Sequence, residues 1–111
     1  MEDSKAVKFF DEVLSKTKDG KIRWQPTATD CDFIAAVGGH FTLSISEYMS
    51  EGFPNYVLVL KDQEGRVLTR VTNGDRRITY QSIAELYETA RRQALRVDDK
   101  IDQILGELSK L

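Results

Sequence analysis

The sequence predicts an α+β domain: an N-terminal helix, an antiparallel meander of four or five strands, and a long C-terminal helix. Two observations predict it. Apolar residues recur at three- and four-residue spacing at both ends of the chain, and between those ends they alternate with polar residues in short runs punctuated by Gly, Asn and Asp. At 111 residues the chain suits one domain, 1–111, with a hydrophobic core large enough to fold without metal or disulfide staples.

The first helix is expected from Ser4 to about Lys18. Ala6, Phe9, Phe10 and Val13 fall on one face, Asp3 or Ser4 can cap the start, and Gly20 suits the end. Ile22-Arg23-Trp24 is a short strand candidate. Asp32 to Val37 and His40 to Ser46 then form two strand-like runs around Gly38-Gly39. A two-residue Gly-Gly turn would pair Phe33 with Ser44 and mix the faces. A three-residue loop Val37-Gly38-Gly39 puts Phe33, Ala35, Phe41, Leu43 and Ile45 on one face, and a single coherent apolar face is what pins a register.

Glu47 to Asn55, with Gly52 and Pro54, reads as a loop. Tyr56 to Lys61 and Arg66 to Thr72 read as a second hairpin across Asp62-Gln63-Glu64-Gly65, with Asp62 opposite Arg66. Val57, Val59, Val67 and Val71 would share one face, and Tyr56, Leu58, Leu60 and Leu68 the other. A pair apolar on both faces is expected to be central and covered on both sides.

Ser82-Ile83-Ala84-Glu85 has the spacing of a capping box. Behind it, Ile83, Tyr87, Ala90, Ala94, Val97, Ile101, Ile104, Leu108 and Leu111 step by threes and fours, which is a heptad seam. A helix over 83–110 would be roughly 40 Å long at 1.5 Å per residue. A compact chain of this length has a radius of gyration of about 13 Å, so such a helix overhangs its own sheet. Gly106 weakens it by about 1 kcal/mol relative to alanine.

The composition narrows the chemistry. The formal charge is -2, which is not the footprint of a duplex-binding protein. One cysteine, Cys31, excludes an internal disulfide, and one histidine with one cysteine cannot build a zinc site in a single chain. Cys31 and His40 fall at opposite ends of the first hairpin, too far apart for a nucleophile–base pair. Gly38-Gly39 precedes a strand rather than a helix and is not a phosphate loop. No enzyme active site and no cofactor are expected. The polar N-terminus lacks a signal-peptide pattern and no run of about 20 apolar residues is present, so a cytoplasmic protein without a membrane partner is expected.

Two surfaces are candidate sites. Val97, Ile101, Ile104, Leu105 and Leu108 form a candidate interface with the same segment of a second chain, since burying four such side chains contributes roughly 1.5–3 kcal/mol each. Tyr48, Met49 and Phe53, with Arg91 and Arg92, form a candidate surface for another partner. Arg91 and Arg92 lie on a helix with Glu88, Asp98 and Asp99, and Glu88 can pair with Arg92 at i,i+4.

The stretch Leu86-Tyr87-Glu88-Thr89-Ala90-Arg91-Arg92-Gln93-Ala94-Leu95-Arg96-Val97-Asp98 resembles a segment of small bacterial proteins of unassigned function, in which it also follows a β-rich portion containing a Trp, here Trp24. The resemblance covers most of the chain loosely. It implies a bacterial setting and carries over no activity and no site.

The expected function is a non-enzymatic interaction or regulatory module, a homodimer through the C-terminal helix, with an unidentified protein partner. One alternative is a nucleic-acid-associated regulator using Arg76, Arg77, Arg91, Arg92 and Arg96, with nucleic acid the less expected partner. The other is a domain binding a small ligand between sheet and helix.

Overall fold

The computed structural model describes residues 2–111, with the side chains of residues 5–111. The elements run α1 (Glu2–Lys18), β1 (Gln25–Pro26), β2 (Asp32–Val37), β3 (Phe41–Ser50), β4 (Phe53–Asp62), β5 (Val67–Thr72), α2 (Tyr80–Leu95) and α3 (Val97–Leu108). The five strands pair in sequence order as an antiparallel meander, which is the α+β architecture expected. The cap assigned to Asp3 or Ser4 rests on side chains outside the described residues.

Helix α1 ends as its sequence requires. Gly20 takes a positive φ, its N–H bonds the carbonyl of Thr17 at 3.1 Å, and that of Lys21 bonds Lys16 at 2.9 Å. This closes the last turn on a residue with no Cβ penalty. The strand expected at Ile22-Arg23-Trp24 forms immediately after it, at Gln25–Pro26, and Trp24 instead turns into the core.

β2 spans the residues expected of it. Its register with β3 pairs Phe33 with Ile45, Ala35 with Leu43 and Val37 with Phe41, so the loop is Gly38-Gly39-His40 rather than Val37-Gly38-Gly39. The slip is two residues. A two-residue slip preserves the side-chain faces, so Phe33, Ala35, Leu43 and Ile45 are all buried together as expected.

The loop expected at Glu47–Asn55 is instead a tight hairpin. β3 runs to Ser50, and Glu51 and Gly52, both at positive φ, turn the chain into β4. Two successive left-handed residues match the twist of the flanking strands. Pro54 is tolerated because β5 pairs only with Val57 to Lys61 and leaves this stretch of β4 with a free edge.

The second hairpin also departs from its expected faces. Leu60 pairs with Thr69 but Lys61 with Val67, so Leu68 is an extra residue in a bulge. The bulge flips the parity of the rest of β5. Val71 therefore joins Leu58 in the core, while Val67 and Leu68 are exposed. The expectation that this pair is central and covered on both sides is overturned as well: β5 is an edge strand, and the main core cluster lies on one face of the sheet, with Val59 buried on the other.

That core is formed by Phe10 and Val13 of α1, Ile83, Leu86, Tyr87 and Ala90 of α2, and the inward residues of the strands. Its one buried polar side chain among the described residues, Thr17, accepts the Trp24 indole N–H at 3.0 Å. Gln93 of α2 donates to the Thr17 carbonyl at 2.8 Å, tying the two helices together.

The single helix expected over 83–110 is two helices. α2 starts at Tyr80, a turn before the expected capping box, with Thr79 as the N-cap and its hydroxyl accepting from the Ser82 N–H at 3.0 Å. At Arg96 the backbone adopts the left-handed conformation, φ 53° and ψ 48°, and α3 leaves in a new direction. The radius of gyration is 15.5 Å and the long axis 59 Å, more extended than a compact chain of this length, for which about 13 Å is usual.

Candidate functional site

The α2–α3 elbow is built from charged residues. The Arg92 guanidinium reaches across it to Asp98, and Arg96 donates from Nε and Nη2 to the Asp99 carboxylate at 3.0 and 2.8 Å. Asp98 and Asp99 also occupy the first turn of α3, where the partial positive charge of a helix start favours them. The expected pairing of Glu88 with Arg92 is replaced: Glu88 meets Arg91 at 3.4 Å.

Beyond the elbow, α3 packs chiefly against the end of α2, and none of its residues is buried. Val97 is half-buried. Ile101, Ile104, Leu105 and Leu108 are between 44% and 57% exposed. On a 3.6-residue helix these five fall on one stripe. Asp98 and Asp102 flank it on one side and Lys100 and Glu107 on the other. Leu95, Val97, Ile101 and Ile104 line a shallow depression where the stripe meets the elbow. The fold thus brings the five candidate interface residues together and leaves all but Val97 exposed.

The other candidate surface is divided. Tyr48 and Phe53 lie on the outer face of the β3–β4 hairpin tip, and Met49 on the opposite face; all three are exposed. Arg91 and Arg92 lie on α2. The tip is held to the start of α2 by the Tyr80 hydroxyl, which donates to the Pro54 carbonyl at 2.6 Å.

A further apolar surface is not announced by the sequence. Phe9, Val13, Ile22, Val37, Phe41, Leu43 and Leu60 line an open apolar groove of about 540 Å³ between α1 and the turn end of β2 and β3. Its charged groups, Glu12, Lys16 and Lys21, all come from α1 and the residues just after it. The available signal was that the inward alternation of the first hairpin continues to Val37 and Phe41, at the end of the sheet.

A cluster of aromatic rings fills the other end of the core. Tyr87 packs against Phe33 and Tyr56 with ring centroids 5.8 and 5.3 Å apart, and Tyr56 against Tyr80 at 5.7 Å. Burial, then the neighbouring Glu47, pushes both Tyr56 and Tyr87 far above the ordinary phenol range; Cys31 adds to the effect on Tyr87. Cys31 therefore sits against Tyr87, half-buried, while His40 lies in the turn at the far end of the hairpin with Nδ1 3.2 Å from Gln63. Among the described residues no cluster of three or more His, Cys, Asp or Glu side chains could hold a metal ion, and no helix is long and apolar enough to cross a membrane.

Comparison of the chain with family models, with curated proteins and with solved structures finds no match.

Proposed function

We propose that this chain is a non-enzymatic interaction module that self-associates through α3. The observation that carries the reading is α3 itself, a projecting amphipathic helix whose Ile101, Ile104, Leu105 and Leu108 are left about half exposed. An apolar stripe of this kind is uncommon on the free surface of a monomer. Its spacing, Val97, Ile101, Ile104, Leu108, Leu111, is the four-three step of helices that pack side by side.

The nucleic-acid reading has less support. Arg77, Arg91, Arg92 and Arg96 each face a carboxylate of the same chain, Asp75, Glu88, Asp98 and Asp99. The small-ligand reading draws on the apolar groove beside α1. Ligand sites combine apolar walls with polar groups that converge on the ligand, whereas the charges here come from one wall.

Replacing Ile101 and Ile104 together by Asp tests the proposal by light scattering. A dimer that becomes a monomer supports it. An unchanged mass removes α3 from the interface.

A further inference from the structure

We infer that α3 of one copy docks into the apolar groove between α1 and the β2–β3 turn of a second copy, reciprocally, so that each protomer contributes one helix and one groove. The inference rests on the self-association proposed above and names its receptor. The groove is lined by Phe9, Ile22, Val37, Phe41 and Leu60, and Val37 and Phe41 at its mouth are 39% and 43% exposed.

Area argues against two α3 helices pairing alone. Each helix spans about 18 Å, with five apolar side chains on its stripe. At about 100 Å² per side chain, two such stripes bury at most on the order of 1,000 Å². Stable interfaces bury about 1,200–2,000 Å². A stripe seated in a groove adds the groove's own walls to the buried surface, and two-fold reciprocity makes the contact twice. The assembly then passes the lower bound using apolar surface that the chain already exposes.

Charge favours the same occupant. On α3, Asp98 and Asp99 answer Arg92 and Arg96, and Glu107 answers Lys110 just beyond the helix, while Asp102 borders the stripe outside these pairs. The groove is edged by Lys16 and Lys21 against Glu12. Asp102 on the border of the stripe can meet Lys16 or Lys21 of the rim, a contact that fixes the orientation of the docked helix.

The test is complementation between two variants of the whole chain. Ile101→Asp/Ile104→Asp spoils the helix and keeps the groove; Phe41→Glu spoils the groove and keeps the helix. Circular dichroism first establishes that each is folded, with Val37→Glu as the second groove variant should Phe41→Glu fail to fold. Each variant alone is expected to be monomeric by sedimentation velocity, at least tenfold weaker in association than the unaltered chain. Mixed, they retain one intact helix and one intact groove, and a heterodimer is expected, weaker than the unaltered dimer and stronger than either variant with itself. Loss of dimer in both variants with no heterodimer on mixing overturns the groove as the receptor of α3. A Phe41→Glu chain that remains dimeric also overturns the groove while leaving self-association through α3 standing. If Phe41→Glu leaves the mass unchanged but abolishes the fluorescence of a bound small apolar dye, the groove is a ligand site and the inference fails. An unaltered chain that is monomeric at every concentration overturns both this inference and the proposal beneath it.

Discussion

Arg92, in the last turn of α2, holds Asp98, in the first turn of α3, across a break in the helix. The break lies at Arg96, whose left-handed backbone costs a non-glycine residue about 1–2 kcal/mol. Exposed ion pairs contribute little individually, so the Arg92–Asp98 and Arg96–Asp99 pairs set the direction of α3 more than they stabilise it.

Substitution at Arg96 reads out that backbone. Glycine accepts the left-handed conformation and a β-branched residue resists it. Arg96→Gly is expected to change stability by less than about 1 kcal/mol, and Arg96→Val to lie about 1–2 kcal/mol below it in urea unfolding. Equal midpoints for the two variants would mean that the elbow is not left-handed in solution.

Thr17 and Trp24 form a buried hydrogen bond between α1 and the residue before β1. Thr17→Val keeps the shape and leaves the indole N–H without its acceptor, an expected loss of about 1–3 kcal/mol. Adding Trp24→Phe removes the orphaned donor, so the hydroxyl-deletion penalty should shrink in that background, measurable as a double-mutant cycle by chemical denaturation.

Asp62 gives the fold a defined acid response. The Arg66 backbone N–H, and then the Arg66 side chain and the Glu64 N–H, hold its carboxyl below the ordinary range. Because the folded value lies below the unfolded one, its stabilisation is complete above the unfolded value near 4 and is lost as pH falls through the folded value. Asp62→Asn should therefore be less stable than the unaltered chain at neutral pH and approach it in acid. Parallel pH–stability curves would contradict this.

Tyr56 and Tyr87 should respond at the alkaline end. Their folded values are raised, so their contribution is complete below about 10 and declines as pH rises further. In an absorbance titration of the folded protein, their phenolates should appear later than that of an ordinary tyrosine. Tyr56→Phe and Tyr87→Phe should each remove part of the late rise.

The legible parts of this fold are those where local pattern and tertiary burial agree. The alternation Phe33, Ala35, Leu43, Ile45 fixes the faces of β2 and β3 because one face is covered by helices. Where backbone geometry decides, the pattern misleads. Pro54 and Gly52 read as a loop, yet Glu51 in the left-handed region makes a tight turn between ten-residue strands. The bulge at Leu68 reassigns Val71 to the core, and nothing in the residue types of β5 announces it. The heptad spacing runs from Ala94 to Val97 without Gly or Pro, so the bend at Arg96 is silent in sequence. The α3 stripe was legible in sequence because it is purely a matter of spacing. The groove was not, because it depends on how far α1 extends over the sheet.

Association of two copies through α3 is visible directly as mass. Sedimentation equilibrium of the unaltered 12.6 kDa chain over a range of concentrations tests it most directly. The expected result is a species of twice that mass that dissociates on dilution. A single species at the mass of one chain throughout, with the apolar stripe of α3 left in water, would contradict it.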